Sequence, residues 1–218
     1  VIGFDIQIEQ KDLLDETIKN LKKVAEIYNK KLILCESDIR NTLKPNTGKG
    51  FKWGEYFHGP ALFSIAHSLN NCTELIIPSS HPEKFYSIEN SQRGSTFLSD
   101  LYYSRNDFKI STNGNLSRID KIKFILNYDT LCLNYLRVCW KNPDESYNCS
   151  QCTKCLRTMN VINLLGHKYN ISFKNCPNIS DEYKKLCSDN DIVEKDFIDE
   201  NSIFSSNNIL TYECQNLG

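Results

Sequence analysis

In 218 residues there is no apolar run of membrane-spanning length, so no spanning helix is expected. A stretch with the make-up of a secretory signal is also lacking, and the ten cysteines are therefore not expected to form the disulfide framework of an exported protein. Retained thiols point to the cytoplasm. Charge of one sign is scarce: 26 Lys and Arg stand against 27 Asp and Glu, a net −1. That balance argues against broad binding to a nucleic-acid backbone and leaves room only for a local basic patch. The familiar nucleotide loops are missing as well. Gly48-Lys49-Gly50 lacks the Ser or Thr with which a Walker loop reaches magnesium, and a GxGxxG reading fails because Trp53 stands where the third glycine belongs. No internal repeat occurs. The chain opens on Val1 rather than Met, directly in the apolar run Val1-Ile2-Gly3-Phe4-Asp5-Ile6, which reads as a fragment or a trimmed product.

What is present is a block of cysteines. Cys139, Cys149, Cys152 and Cys155 read C-x9-C-x2-C-x2-C within residues 138–157. Each C-x2-C step is a knuckle that turns two thiolates toward one metal ion. Four thiolates with no further ligand nearby describe the closed tetrahedral site of structural zinc. An iron–sulfur cluster is the rival, since C-x2-C-x2-C opens the ferredoxin run. That run continues C-x3-C-P, whereas Leu156-Arg157-Thr158-Met159 follows here. Zinc is the expectation, with Cys35, Cys72, Cys132, Cys176, Cys187 and Cys214 unligated.

Hydrophobic periodicity gives an α/β class, a mostly parallel sheet flanked by helices. Val1–Ile6, Lys31–Cys35 and Glu74–Ile77 read as strands. Leu14, Ile18, Leu21, Ala25 and Tyr28 mark the apolar face of an intervening helix. Thr42–Phe51 reads as a loop, and Leu62, Ile65, Ala66 and Leu69 stripe a helix over about Gly54–Leu69. Further on, the pattern predicts a short strand at Phe108–Ile110 and a helix over Arg118–Leu126. Another helix runs from about Cys152 to Leu165 and stops at Gly166 in the C′ position. Residues 171–218 read as a small helical, partly disordered appendage to a domain spanning 1–170.

Several residues are candidates by position. His58 and Gly59 precede Pro60 at a helix start, where free N–H groups would face an anion. A helix start packed with aromatics is the equal alternative, and His67 reads as a packing or surface histidine. Ser79 and Ser80 follow the third strand, where open α/β sheets bind ligands. Arg118 and Lys121 lie three apart on one helix face, and Arg137 and Arg157 flank the cysteine block; such charges suit phosphate or carboxylate, or simply water.

Taken together these segments resemble the 7-cyano-7-deazaguanine synthases, which are N-type ATP pyrophosphatases of the adenine nucleotide alpha-hydrolase-like fold. The resemblance spans about Val1 to Gly166. It rests on Gly3-Phe4-Asp5, His58-Gly59-Pro60-Ala61, Pro78-Ser79-Ser80, Gly94-Ser95, Arg118-Ile119-Asp120-Lys121 and Asn148 through Thr158. It implies an ATP-dependent ligase or amidating enzyme that adenylates a carboxyl or amide oxygen of a small-molecule carboxylate, with ATP and Mg2+ as co-substrate. Arg118 and Lys121 would be catalytic, and His58, Gly59, Ser79, Ser80, Ser95 and Arg137 would line one cleft for nucleotide and substrate. Zinc on the four cysteines would be structural. One part of the family pattern, the pyrophosphate loop Ser-Gly-Gly-x-Asp-Ser, is absent from the sequence. The polypeptide as given is therefore expected to be inactive, with unpaired strand edges that favour pairing with other chains or a homo-oligomer. Two other readings stand beside the ligase: a noncatalytic zinc-stapled binding module, and an RNA-modifying relative with an iron–sulfur cluster.

Overall fold

A computed structural model describes residues 1–47, 52–69, 72–79, 94–113, 115–167 and 172–173. The chain forms two compact units. One takes in Val1–Gln10 with Leu32–Arg118, the other Lys11–Lys31 with Ile119–Gly218. The appendage expected at 171–218 lies outside the described residues, apart from Ser172 and Phe173. Both of these are buried, and Phe173 belongs to the core of the second unit.

In the first unit, β1 (Glu74–Pro78) and β2 (Lys109–Asn113) pair in parallel, from Glu74 opposite Lys109 to Pro78 opposite Asn113. Alternation along β1 leaves Ile76 54% exposed while Leu75 and Ile77 turn inward, the signature of a half-buried strand. Leu75 and Ile77 pack beside a core of Phe63, Ala66, Phe108 and Ile110. Phe63 and Ala66 come from helix α3 (His58–Ser68). His67, on the same helix, packs its ring at a tilt against Phe108, centroids 4.6 Å apart, and bonds the Tyr103 carbonyl at 2.8 Å, a packing role as expected.

The mixed α/β class is present, but the sheet among the described residues has two strands, not the larger parallel sheet the pattern suggested. The strands expected at Val1–Ile6 and Lys31–Cys35 reduce to a single parallel bridge between Ile2 and Glu36. The reason is local. Gly3 adopts φ +89° and its N–H bonds back to the Ile6 carbonyl at 2.9 Å, so the backbone turns away after one bridge. Phe4 is then held by the edge of Trp53 at 4.9 Å, and its carbonyl accepts from the Arg40 guanidinium, which itself lies over the Trp53 ring. Beyond the bridge, Ile33 and Leu34 are 49% and 45% exposed and meet no ladder. The expected loop at Thr42–Phe51 is half replaced by helix α2 (Ile39–Thr47).

In the second unit, α1 (Lys11–Ile27) carries the expected amphipathic pattern, but its buried residue is Leu13, one position round from the expected stripe, and Leu21 is 44% exposed. At its C-terminal end the Tyr28 hydroxyl bonds Asp129 Oδ2 at 2.9 Å and meets Cys132 Sγ at 2.7 Å. Helix α5 (Arg118–Tyr128) supplies Ile119, Ile122 and Leu126 to the core. Helix α6 (Thr153–Leu164) is buried continuously from Cys155 to Ile162, as befits a helix at the centre of a unit. It ends as the sequence predicts. Gly166 takes φ +77°; its N–H bonds the Asn163 carbonyl, and the His167 N–H bonds that of Ile162, the paired bonds of a Schellman cap.

Two glycines of the first unit, Gly3 and Gly54, separate strain from simple flexibility. A Cβ on Gly3 would sit 2.0 Å from the Ser37 carbonyl oxygen, whereas one on Gly54 would meet nothing within 4 Å. Gly3→Ala should therefore destabilise by about 2 kcal/mol, and Gly54→Ala should be neutral or stabilise by up to about 1 kcal/mol. Urea unfolding of both variants checks this; equal midpoints would contradict the turn geometry.

Candidate metal centre and sheet-edge site

The second unit brings Cys139, Cys149, Cys152 and Cys155 together, their sulfur atoms all within 4.8 Å of one another. Cys152 Sγ lies 3.5 Å from Cys155 and 4.0 Å from Cys139, and Cys149 lies 3.9 Å from Cys155. A tetrahedral ion with bonds of about 2.3 Å sets its ligand sulfurs about 3.8 Å apart. The observed spacings match that edge. Among the described residues no other group of His, Cys, Asp or Glu gathers in this way.

Backbone amides complete the cradle. The Cys152 N–H donates to Cys149 Sγ at 3.2 Å and the Asn142 N–H to Cys139 Sγ at 3.4 Å. Gln151 also donates its amide to Cys149, and Cys155 its amide to Cys152. Such bonds favour thiolates over thiols. The knuckle closes because Ser150, fully buried, adopts φ +58°.

Crowding sets the sulfurs apart electrostatically. The side-chain hydrogen bond from Cys155 holds Cys152 down at about 5, against the opposing effect of burial. The same bond pushes Cys155 far up, with burial and the Cys152 charge adding to the rise. Burial raises Cys149. Without a cation, one thiolate is thus stabilised at its neighbours' expense; a divalent ion would stabilise all four as thiolates.

Asn148 locks the two halves of the site. Its Oδ1 accepts from the Val138 and Cys139 amides at 2.9 and 3.1 Å. Its Nδ2 donates to the Leu136 and Ser172 carbonyls at 2.8 and 3.0 Å. Two donors and two lone-pair directions are all used, at a residue only 4% exposed. One carboxamide therefore fixes the segment bearing Cys139 against the knuckle that begins at Cys149.

The first unit gathers part of the expected cleft. A Cβ on Gly59 would stand 1.7 Å from the Gly94 carbonyl oxygen, and one on Gly94 would stand 2.8 Å from His58 Nδ1. His58, Gly59, Gly94 and Ser95 are thus in close approach. Ser95 Oγ donates to Asp100 Oδ2 at 2.8 Å, and the same oxygen takes a bond from Thr112 Oγ1 at 3.3 Å. Thr112 is the register partner of Ile77, and Ser79 N–H bonds the Asn113 carbonyl at 3.1 Å. Ser79 and Ser95 therefore both attach to the carboxyl end of the β1–β2 pair. Sequence reasoning missed Asp100. It is fully buried and also accepts from the Thr96 amide. Its signal was the run Ser95-Thr96-Phe97-Leu98-Ser99-Asp100, where Thr96 caps the short helix α4 (Phe97–Asp100).

Other expectations need correction or placement. The start of α3 is not an open set of N–H donors: a π turn over Trp53–Phe57 leads into it, and the His58 N–H is already bonded to the Trp53 carbonyl. His58 Nδ1 is buried with no hydrogen-bond partner among the described residues. Ser80 lies outside the described residues. Arg118 opens α5 and Lys121 follows on it, both half-buried. Arg137 belongs to the second unit, where its Nη2 donates to Asn142 Oδ1 at 2.8 Å. Cys35, Cys72 and Cys132 stand outside the four-sulfur cluster. Cys176, Cys187 and Cys214 lie outside the described residues. Comparison of the chain with protein-family models, with curated proteins and with solved structures finds no match.

Asn148→Ala would leave two buried amides and two carbonyls without their partner, at a cost of about 3 kcal/mol. Its expected signature is a lower urea midpoint together with weaker retention of zinc against a chelator. An unchanged midpoint would mean that the carboxamide does not hold the segments together. Cys149→Ser should drop bound zinc from about one ion per chain and open residues 138–157 to protease, read by metal analysis and limited proteolysis.

Proposed function

We propose that this chain is the zinc-bearing part of an ATP-dependent ligase of the pyrophosphatase type. The four cysteines hold Zn2+ in a closed structural site. With all four positions taken by sulfur, the ion has no open place for substrate, and it contributes folding energy rather than chemistry. The observation that carries the catalytic half of the reading is the seating of His58, Gly59 and Ser95, with Ser79, at the carboxyl end of a parallel strand pair. Ligands bind at that edge of open α/β sheets. Resemblance to the 7-cyano-7-deazaguanine synthases supplies the reaction. A carboxylate oxygen of a small molecule attacks the α-phosphorus of ATP and pyrophosphate leaves with Mg2+. A nitrogen nucleophile then displaces AMP. Arg118 and Lys121 stabilise the charge that grows on the phosphate. Four reduced thiols fit a cytoplasmic setting. Among the described residues no helix is long and apolar enough to cross a membrane.

A second reading has its own observation. The Ser-Gly-Gly-x-Asp-Ser loop that cradles pyrophosphate is not in the sequence, which favours a noncatalytic zinc-stapled module. Pyrophosphate release from ATP distinguishes the two, measured on the chain alone and on the chain extended by a βα unit bearing that loop. The chain alone should show no ATP binding by calorimetry. The extended form should release pyrophosphate, with a loss of about 100-fold or more in Arg118→Ala. Failure of both forms to bind ATP while zinc stays bound would sink the ligase reading and leave the module. An absorption spectrum separates either from a cluster-bearing RNA-modifying protein, since an iron–sulfur centre is coloured and zinc is not.

A further inference from the structure

The second unit contains a cavity of about 530 Å³ beside the metal centre, walled by α1 and by the loop between Cys139 and Cys152. That volume suits a small organic molecule. Glu16 and Asn20 line it from α1; Asn134, Asp144, Tyr147 and Gln151 line it from the other side, next to Cys149. Among the described residues of the lining the charged ones are Glu16 and Asp144, both carboxylates from separate elements, and none is Lys, Arg or His.

Much of the remaining polar wall is committed elsewhere. The Tyr147 hydroxyl donates to the Tyr135 carbonyl at 2.8 Å and takes a bond from the Asn20 side chain. Burial pushes the Tyr147 phenol up, Asn20 and Arg137 pull it back, and the nearby Glu16 charge adds to the rise. Asn148 has spent all four of its bonds on backbone. The cavity thus has a fixed frame, tied to the metal loop through Cys149, with a carboxylate on each of two sides and side-chain amides between. A guest in such a space gains by carrying positive charge and several N–H donors. A phosphate or carboxylate would be repelled.

We propose that this cavity binds a small organic cation of the guanidinium or primary-amine class, held between Glu16 and Asp144. The site is distinct from the sheet edge, and the inference does not rest on the ligase reading. It takes a ligand of opposite charge to the nucleotide and carboxylate invoked there.

The test is calorimetric titration of the zinc-loaded full chain with n-butylguanidinium and with its uncharged isostere n-butylurea. The guanidinium should bind saturably, one per chain, at least about tenfold more tightly than the urea. Replacing both carboxylates, Glu16→Gln with Asp144→Asn, should abolish that preference while zinc content and thermal unfolding stay as in the parent. Equal binding of the two probes by the parent chain overturns the proposal, as does a preference that survives in the double variant. The probe pair decides on the parent protein alone should the double variant lose its metal.

Discussion

Four sulfur atoms within 4.8 Å of one another impose a constraint on the whole second unit. As thiolates they repel, and as thiols they waste the amide donors aimed at them. A bound cation would satisfy both. The surrounding structure is built to that requirement. Amides from Asn142, Gln151 and Cys152 point at sulfur, and Asn148 holds the two cysteine-bearing segments in register. Cys139, Cys152 and Cys155 are then counted among the core residues, alongside Leu156, Met159 and Ile162. The four-sulfur cluster and the hydrophobic packing are one structure here, which is why α6 begins at the knuckle and is buried for most of its length.

The first unit solves a similar problem without sulfur. Its two-stranded sheet is too small to organise the loops at its carboxyl end by packing alone. The buried Asp100 carboxylate does this instead, accepting from Ser95, Thr96 and Thr112. Hydroxyls and an amide donate to it, and such hydrogen bonds offset the cost of burying a polar group. The contact of Gly59 with Gly94 adds the other fixed point, since any side chain there would force the loop off α3.

How much of this was legible in the sequence follows from the range of each signal. The cysteine spacing is local and specific, and the four sulfurs meet as the spacing predicts. The start of α5, the span of α6 to within a residue and the Gly166 stop rest on periodicity and cap chemistry within one turn, and they too agree, while α5 runs two residues past its expected end. Strands are different, because a strand exists only by its partner. Val1–Ile6 has the apolar composition of a strand, yet Gly3 turns the backbone and the ladder ends at Ile2. Lys31–Cys35 fails alongside it for want of that neighbour. β1 forms because β2 lies beside it, and the sequence placed β2 one residue early and too short. Asp100 was invisible for a related reason: a lone acidic residue looks solvated until the fold encloses it. The function classes were never in the local pattern, and they rest on the resemblance and on the sheet-edge geometry.

The loop between Cys139 and Cys152 shows which force governs. Asn142, Asp144, Glu145 and Ser150 all take positive φ there, although none is glycine. Left-handed backbone at a non-glycine residue costs about 1 kcal/mol or somewhat more each, so the loop opposes its own conformation by several kcal/mol. Asn148 contributes part of the compensation through four hydrogen bonds, at about 1 kcal/mol each. Those two contributions nearly cancel, and a loop in balance has no reason to keep one shape. Thiolate coordination of a zinc ion, on the order of 10 kcal/mol, would be large enough to settle the matter. The cavity against Glu16 would inherit its form from the same source, because Asp144, Tyr147 and Cys149 all belong to the strained loop. A metal on the four sulfurs would therefore govern loop conformation and, through it, the cavity, by way of backbone that no apolar packing would hold.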